Sequence, residues 1–104
     1  MIRVKDSTVK VAHLSSGILF GLQVADQVYT KFGYETVITS GNDGGHGYTS
    51  LHYNNDAVDL RTRHMKTGDP EKVRDEIDSR LGLDWDVILE SDHLHLECQP
   101  RHRL

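Results

Sequence analysis

A lone cysteine, Cys98, leaves the chain unable to close an internal disulfide. That removes the usual covalent support of a small extracellular fold. Long apolar runs are also missing, and none approaches the ~18–20 residues that a membrane-spanning helix needs. The opening residues Met1-Ile2-Arg3-Val4-Lys5-Asp6 have no apolar stretch behind their charges, so no secretory signal is expected. Positive charge is in deficit: twelve Lys and Arg face sixteen Asp and Glu, a formal net charge of −4. Nucleic-acid binders carry the opposite sign on at least one face, so neither nucleic acid nor membrane is expected as a partner. The run Gly41-Asn42-Asp43-Gly44-Gly45 lacks the Gly-Lys-Ser/Thr ending of a phosphate loop. No repeat, low-complexity tract or linker divides the 104 residues, so residues 1–104 are read as one domain.

What is present is a globular composition, 37% hydrophobic and 27% charged. A chain this short buries perhaps ~65% of its unfolded surface, so its core is thin. A bound metal is another way to strengthen such a core, and the sequence holds seven histidines. After a short apolar stretch at Val9–His13, Ser15 or Ser16 is suited to cap a helix. Ile18, Leu22, Ala25, Val28, Tyr29 and Phe32 follow at helical spacing, and Gly33 is its stop. Gly17 and Gly21 weaken its first turns. The β-branched run within Glu35–Ser40 reads as a strand, Ala57–Thr62 as a second. Pro70 opens a second helix with Val73, Ile77 and Leu81 on one face, and Gly82 ends it. Trp85–Glu90 and Leu94–Cys98 read as two strands joined by the turn Ser91-Asp92-His93, with Trp85 in the core and Cys98 a buried thiol. The expected fold is α+β, a small antiparallel sheet covered by helices, with any metal site on the sheet face.

The histidines cluster. His52 lies seven residues before Asp59, and His93 and His95 flank Leu94 on the last strand. We place these two on opposite faces of that strand, so that only one shares a site with His52 and Asp59. Two imidazoles and a carboxylate form a three-ligand set suited to catalytic zinc with a fourth position open. On spacing alone, the competing reading makes them ordinary strand histidines and Asp59 a solvated acid. His13, His64 and His102 are read as solvated or locally hydrogen-bonded.

The segment Ser50-Leu51-His52-Tyr53-Asn54-Asn55-Asp56-Ala57-Val58-Asp59 resembles the Ser-x-His-x-x-Gly-x-Ala-x-Asp motif of zinc D-Ala-D-Ala carboxypeptidases and their phage L-alanyl-D-glutamate endopeptidase relatives, which share the hedgehog/D,D-peptidase fold. Asp92-His93-Leu94-His95 resembles the second motif of that family, and Val37-Ile38-Thr39-Ser40-Gly41 the strand and turn before the first. Carried over position by position, the resemblance implies Zn2+ held by His52, Asp59 and His95, and Asp92 as the catalytic carboxylate. A carboxylate beside metal-activated water can take its proton during attack on a carbonyl and return it to the leaving amine. His93 is assigned to the site as a group that supports the reaction from beside the metal ligands, the alternative being a side chain outside it. Ser50 is read as fixing the first-motif loop.

Two departures from the pattern stand out. Asn55 replaces the glycine of the first motif, and Asn is the side chain that best tolerates a left-handed backbone. Asn42 stands where the family places a substrate-holding arginine after the Ser-Gly turn; Arg61, Arg63 or His46 are the candidates to take over that role. The expected function is therefore zinc-dependent hydrolysis of peptide bonds in bacterial peptidoglycan stem peptides, by an endopeptidase or a D,D-carboxypeptidase. The missing arginine tilts the choice toward the former unless another cation serves. The alternative is a catalytically impaired, zinc-stabilised structural or peptide-binding module, for example in a phage particle. The resemblance also implies cytoplasmic synthesis with action on the cell wall after release or as part of a particle. A monomer is the expected state.

Overall fold

The computed structural model describes residues 1–41 and 56–99. Helix α1, Ser16–Lys31, starts where the Ser15 hydroxyl accepts the Ile18 N–H at 3.1 Å, meeting one of the donors that a helix start leaves unpaired. Its buried stripe is Ile18, Gly21, Leu22, Ala25, Val28 and Tyr29. Gly33 follows with φ +86°, a left-handed conformation that suits glycine after a helix. Helix α2, Asp69–Leu81, has Pro70 in its first turn and buries Val73 and Ile77. The expected helices and their stops are therefore present.

The strands are β1 (Ile2–Val4), β2 (Thr36–Ser40), β3 (Ala57–Arg61), β4 (Trp85–Leu89) and β5 (His93–Cys98). They form one sheet in the order β1-β2-β3-β5-β4. The fold is α+β as expected, but the sheet is mixed rather than antiparallel. β1 runs parallel to β2, with Ile2 opposite Thr36, while the other pairs are antiparallel. Parallel neighbours need a long crossover, and α1 lies in it. This strand is three residues long and largely exposed at the sheet edge, so its sequence shows no alternation that would announce it.

Both helices cover the same face of the sheet. Ile18, Leu22, Ala25, Val28, Tyr29, Val73 and Ile77 share one core with Ile38, Val58, Leu60, Leu94 and Leu96. Trp85 joins this core at 9% exposure, as expected; Cys98 is half-buried at its margin rather than fully buried. Gly21 explains why the helix accepts a residue that weakens it. A Cβ there would collide with the Trp85 ring. Gly21→Ala is therefore expected to destabilise the fold by about 1–3 kcal/mol despite the better helix propensity of alanine. A urea midpoint shifted to lower concentration would show it; an unchanged or raised midpoint would mean that the ring moves aside freely. Among the described residues no helix is long and apolar enough to cross a membrane.

Candidate metal centre

Because Val58, Leu60, Leu94 and Leu96 point into the core, the residues between them point to the other face of the sheet. β3 and β5 pair with Asp59 opposite His95, Arg61 opposite His93 and Ala57 opposite Glu97. His93, His95 and Glu97 thus share one face. This corrects the expectation that the two histidines diverge: side chains two residues apart on a strand lie on the same side. Glu97 was not anticipated in the site, although His93-x-His95-x-Glu97 carries the two-residue period that places it there.

Asp59 and His95 sit at the centre of this face. Asp59 Oδ1 lies 2.8 Å from His95 Nδ1, and Glu97 Oε1 lies 2.7 Å from His95 Nε2. The two carboxylate side chains are each 14% exposed and the imidazole 19%. Gln99 Nε2 in turn donates to Glu97. The Asp59 contact is the main cause that raises the His95 pKa to about 9, burial opposes it, and Glu97 adds to it. That shift favours the protonated ring, which would present one N–H to each carboxylate.

The hairpin turn places the second pair of residues. Glu90 N–H donates to His93 O at 2.9 Å across the turn, and Thr62 N–H donates to Asp92 O at 3.2 Å, tying the turn to the end of β3. His93, the first residue of β5, lies with Nδ1 2.9 Å from Asp92 Oδ1 and Nε2 3.8 Å from Asp59 Oδ2. The imidazole thus stands between the two aspartates. Its hydrogen bond is the main cause that holds the Asp92 carboxyl below its ordinary pKa, with Arg63 also contributing. Asp92 is exposed and ionised at neutral pH. Next to it on β2, the register shifts between Ile38 and Ser40 where Ser40 pairs with Asp59, a local irregularity of the kind common beside functional sites.

The structure thus brings together Asp59, Arg61, Asp92, His93 and His95. His46, Ser50 and His52 lie outside the described residues, as do the substitutions at Asn42 and Asn55. His64 is exposed, with Nε2 2.9 Å from Glu35 O, a long-range contact rather than the solvation or local hydrogen bonding expected of it. Among the described residues no group of three or more His, Cys, Asp or Glu side chains is arranged to hold a metal ion. The two described members of the expected set nevertheless suit zinc. At bond lengths of about 2.0 Å, tetrahedral donors stand about 3.3 Å apart. The Asp59–His95 pair needs to open by only a few tenths of an ångström. With a metal at Nδ1, Glu97 would accept the remaining ring N–H, the arrangement that commonly orients a ligating histidine.

A pH dependence follows for the metal-free protein. His95 titrates at about 9 when folded, against an ordinary 6.5. The folded state holds the additional proton between those values, so the stabilisation is full below about 6.5 and disappears as pH rises through about 9. At about 1.4 kcal/mol per pH unit its size is on the order of 3 kcal/mol. Urea unfolding with chelator present should show that loss between neutral and alkaline pH, and Asp59→Asn should flatten it. An equally steep profile in the variant would assign the dependence elsewhere.

Compared with known family models and with curated proteins, the chain matches none.

Proposed function

We propose that the chain is a zinc peptidase of the kind its two motifs resemble, hydrolysing peptide bonds in peptidoglycan stem peptides. The observation that carries this reading is the Asp59–His95–Glu97 line across β3 and β5, with Asp92 and His93 beside it on the same face. One motif supplies Asp59 and the other supplies Asp92 and His95, separated by more than thirty residues of chain. Their meeting on one sheet face is what a shared site requires and what chance occurrence of two short motifs does not. In this reading Asp59 and His95 hold the metal together with His52. Zinc held there supplies Lewis acidity, polarising a carbonyl and acidifying water.

The remaining roles belong to the protein. Glu97 orients the His95 ring by accepting its Nε2 proton. Asp92, exposed and ionised, accepts a proton from the attacking water and delivers it to the leaving nitrogen. His93 donates to Asp92 and fixes where that carboxylate points. The second reading, a zinc-stabilised module without turnover, draws its support from Asn42 in place of the family's arginine. Purified peptidoglycan separates the two. Zinc-loaded protein should release new amino termini, chelator should stop it and restored zinc should return it. A zinc-dependent rise in Tm with no amino termini released would leave the module.

A further inference from the structure

The alternation that brings His93, His95 and Glu97 to one face continues for one more residue. Gln99 N–H donates to Asp84 O at 2.6 Å, which carries the β4–β5 pairing past its last strand pair, Trp85 with Cys98. Gln99 therefore follows Glu97 on the face of the candidate site, and its amide reaches back along the strand to Glu97 Oε2. Only the nitrogen end of that amide can serve a carboxylate oxygen. Both oxygens of Glu97 are thus engaged: Oε1 lies 2.7 Å from His95 Nε2, and Oε2 accepts from Gln99. A carboxylate held at both oxygens has its plane fixed, whereas one held at a single oxygen can turn about its terminal bond. The neighbouring charge makes the second hold matter. Asp86 lies directly opposite Glu97 on β4, and like charges at such a cross-strand position repel. Gln99 supplies a donor there and adds no charge.

We propose that Gln99 is a positioning residue of the metal centre: it locks Glu97 onto His95 Nε2, which in turn aims Nδ1 at the point shared with Asp59. This rests on the zinc reading given above, and it adds the group that selects which carboxylate beside His95 holds the metal. Asp59 and Glu97 are each 14% exposed and lie 2.8 and 2.7 Å from the two ring nitrogens. Distance and burial do not choose between them. The amide of Gln99 does, because it occupies the Glu97 oxygen that could otherwise turn to a metal and leaves the other to accept the ring N–H. Partners that accept this proton orient a ligating imidazole and raise its basicity. Gln99 acts on the metal through two intervening side chains, Glu97 and His95. Its loss is therefore felt as weaker zinc binding in a chain that still folds.

The test is a double-mutant cycle in zinc affinity, read on the full chain by competition with a chromophoric chelator. Gln99→Met keeps the length of the side chain and removes its donor, and it should weaken zinc binding about 3–10-fold, less than the loss of the Glu97 carboxylate itself. Gln99→Ser, too short to reach Glu97, should do the same, so either variant carries the test if the other folds poorly. Gln99→His returns a neutral donor and should stay closer to wild type than either. In a Glu97→Gln background, Gln99→Met should have no further effect, because the group it acts through is gone. Wild-type affinity in Gln99→Met and Gln99→Ser would overturn the role. A loss that persists undiminished in the Glu97→Gln background would overturn it too, making Gln99 only a structural part of the strand end. A loss as large as that of His95→Ala would make Gln99 a ligand instead. Failure of the wild-type chain to bind zinc would remove the centre itself, and the role of Gln99 with it.

Discussion

Asp92→Asn is expected to lower peptide release from peptidoglycan by about 10²–10⁴-fold while leaving zinc content and Tm near wild type. The asparagine keeps the size of the side chain, and its carbonyl oxygen still accepts the His93 Nδ1 proton that Asp92 Oδ1 faces at 2.9 Å. What it loses is the capacity to take a proton. The backbone bonds that hold the turn, from Thr62 N–H and between Glu90 and His93, do not involve the carboxylate. A merely structural acid at an exposed turn would therefore leave the rate unchanged on this substitution. Zinc lost from Asp92→Asn would instead make Asp92 a ligand. His93→Ala should keep the metal and lower the rate by less than Asp92→Asn, because it removes the group that orients the base and not the base itself.

The second large effect separates the groups proposed to hold the metal from the group proposed to support them. Asp59→Ala and His95→Ala should each weaken zinc binding by more than about 100-fold and abolish hydrolysis together with it. Glu97→Gln should weaken zinc binding by only about 10–100-fold, the usual cost of losing a partner that orients a ligand. The geometry dictates this order. Asp59 and His95 Nδ1 face one another, so both address the same point, whereas Glu97 meets His95 at the opposite nitrogen. Competition titration against a chromophoric chelator reads all three affinities at one pH. Zinc bound equally well by wild type and Asp59→Ala would remove Asp59 from the centre. A Glu97→Gln loss as large as that of His95→Ala would promote Glu97 from support to ligand.

Much of the fold is legible because its signals are local. Ser15, Gly33, Pro70 and Gly82 punctuate the helices, and Val58, Leu60, Leu94 and Leu96 alternate with polar residues along β3 and β5. β1 escapes because three exposed residues at a sheet edge carry no hydrophobic period. Its parallel pairing with β2 is a long-range fact that neither segment encodes by itself. The candidate site is legible in its parts: Asp59 and His95 stand out by residue type and spacing, and Asp92 by the resemblance of Asp92-His93-Leu94-His95 to a family motif. Its assembly is not, because the β3–β5 register is set by which leucines and valines enter the core. That register puts His93 beside Asp59 and brings Glu97 to the ring of His95.

The central claim is that Asp59 and His95 are two members of one zinc centre, and it is tested most directly by anomalous diffraction at the zinc edge on crystals of the zinc-loaded chain. The account predicts one strong peak about 2.0–2.2 Å from both an Asp59 carboxylate oxygen and His95 Nδ1, with Glu97 still hydrogen-bonded to Nε2. A zinc peak elsewhere on the molecule, with Asp59 still accepting the His95 proton, would contradict it.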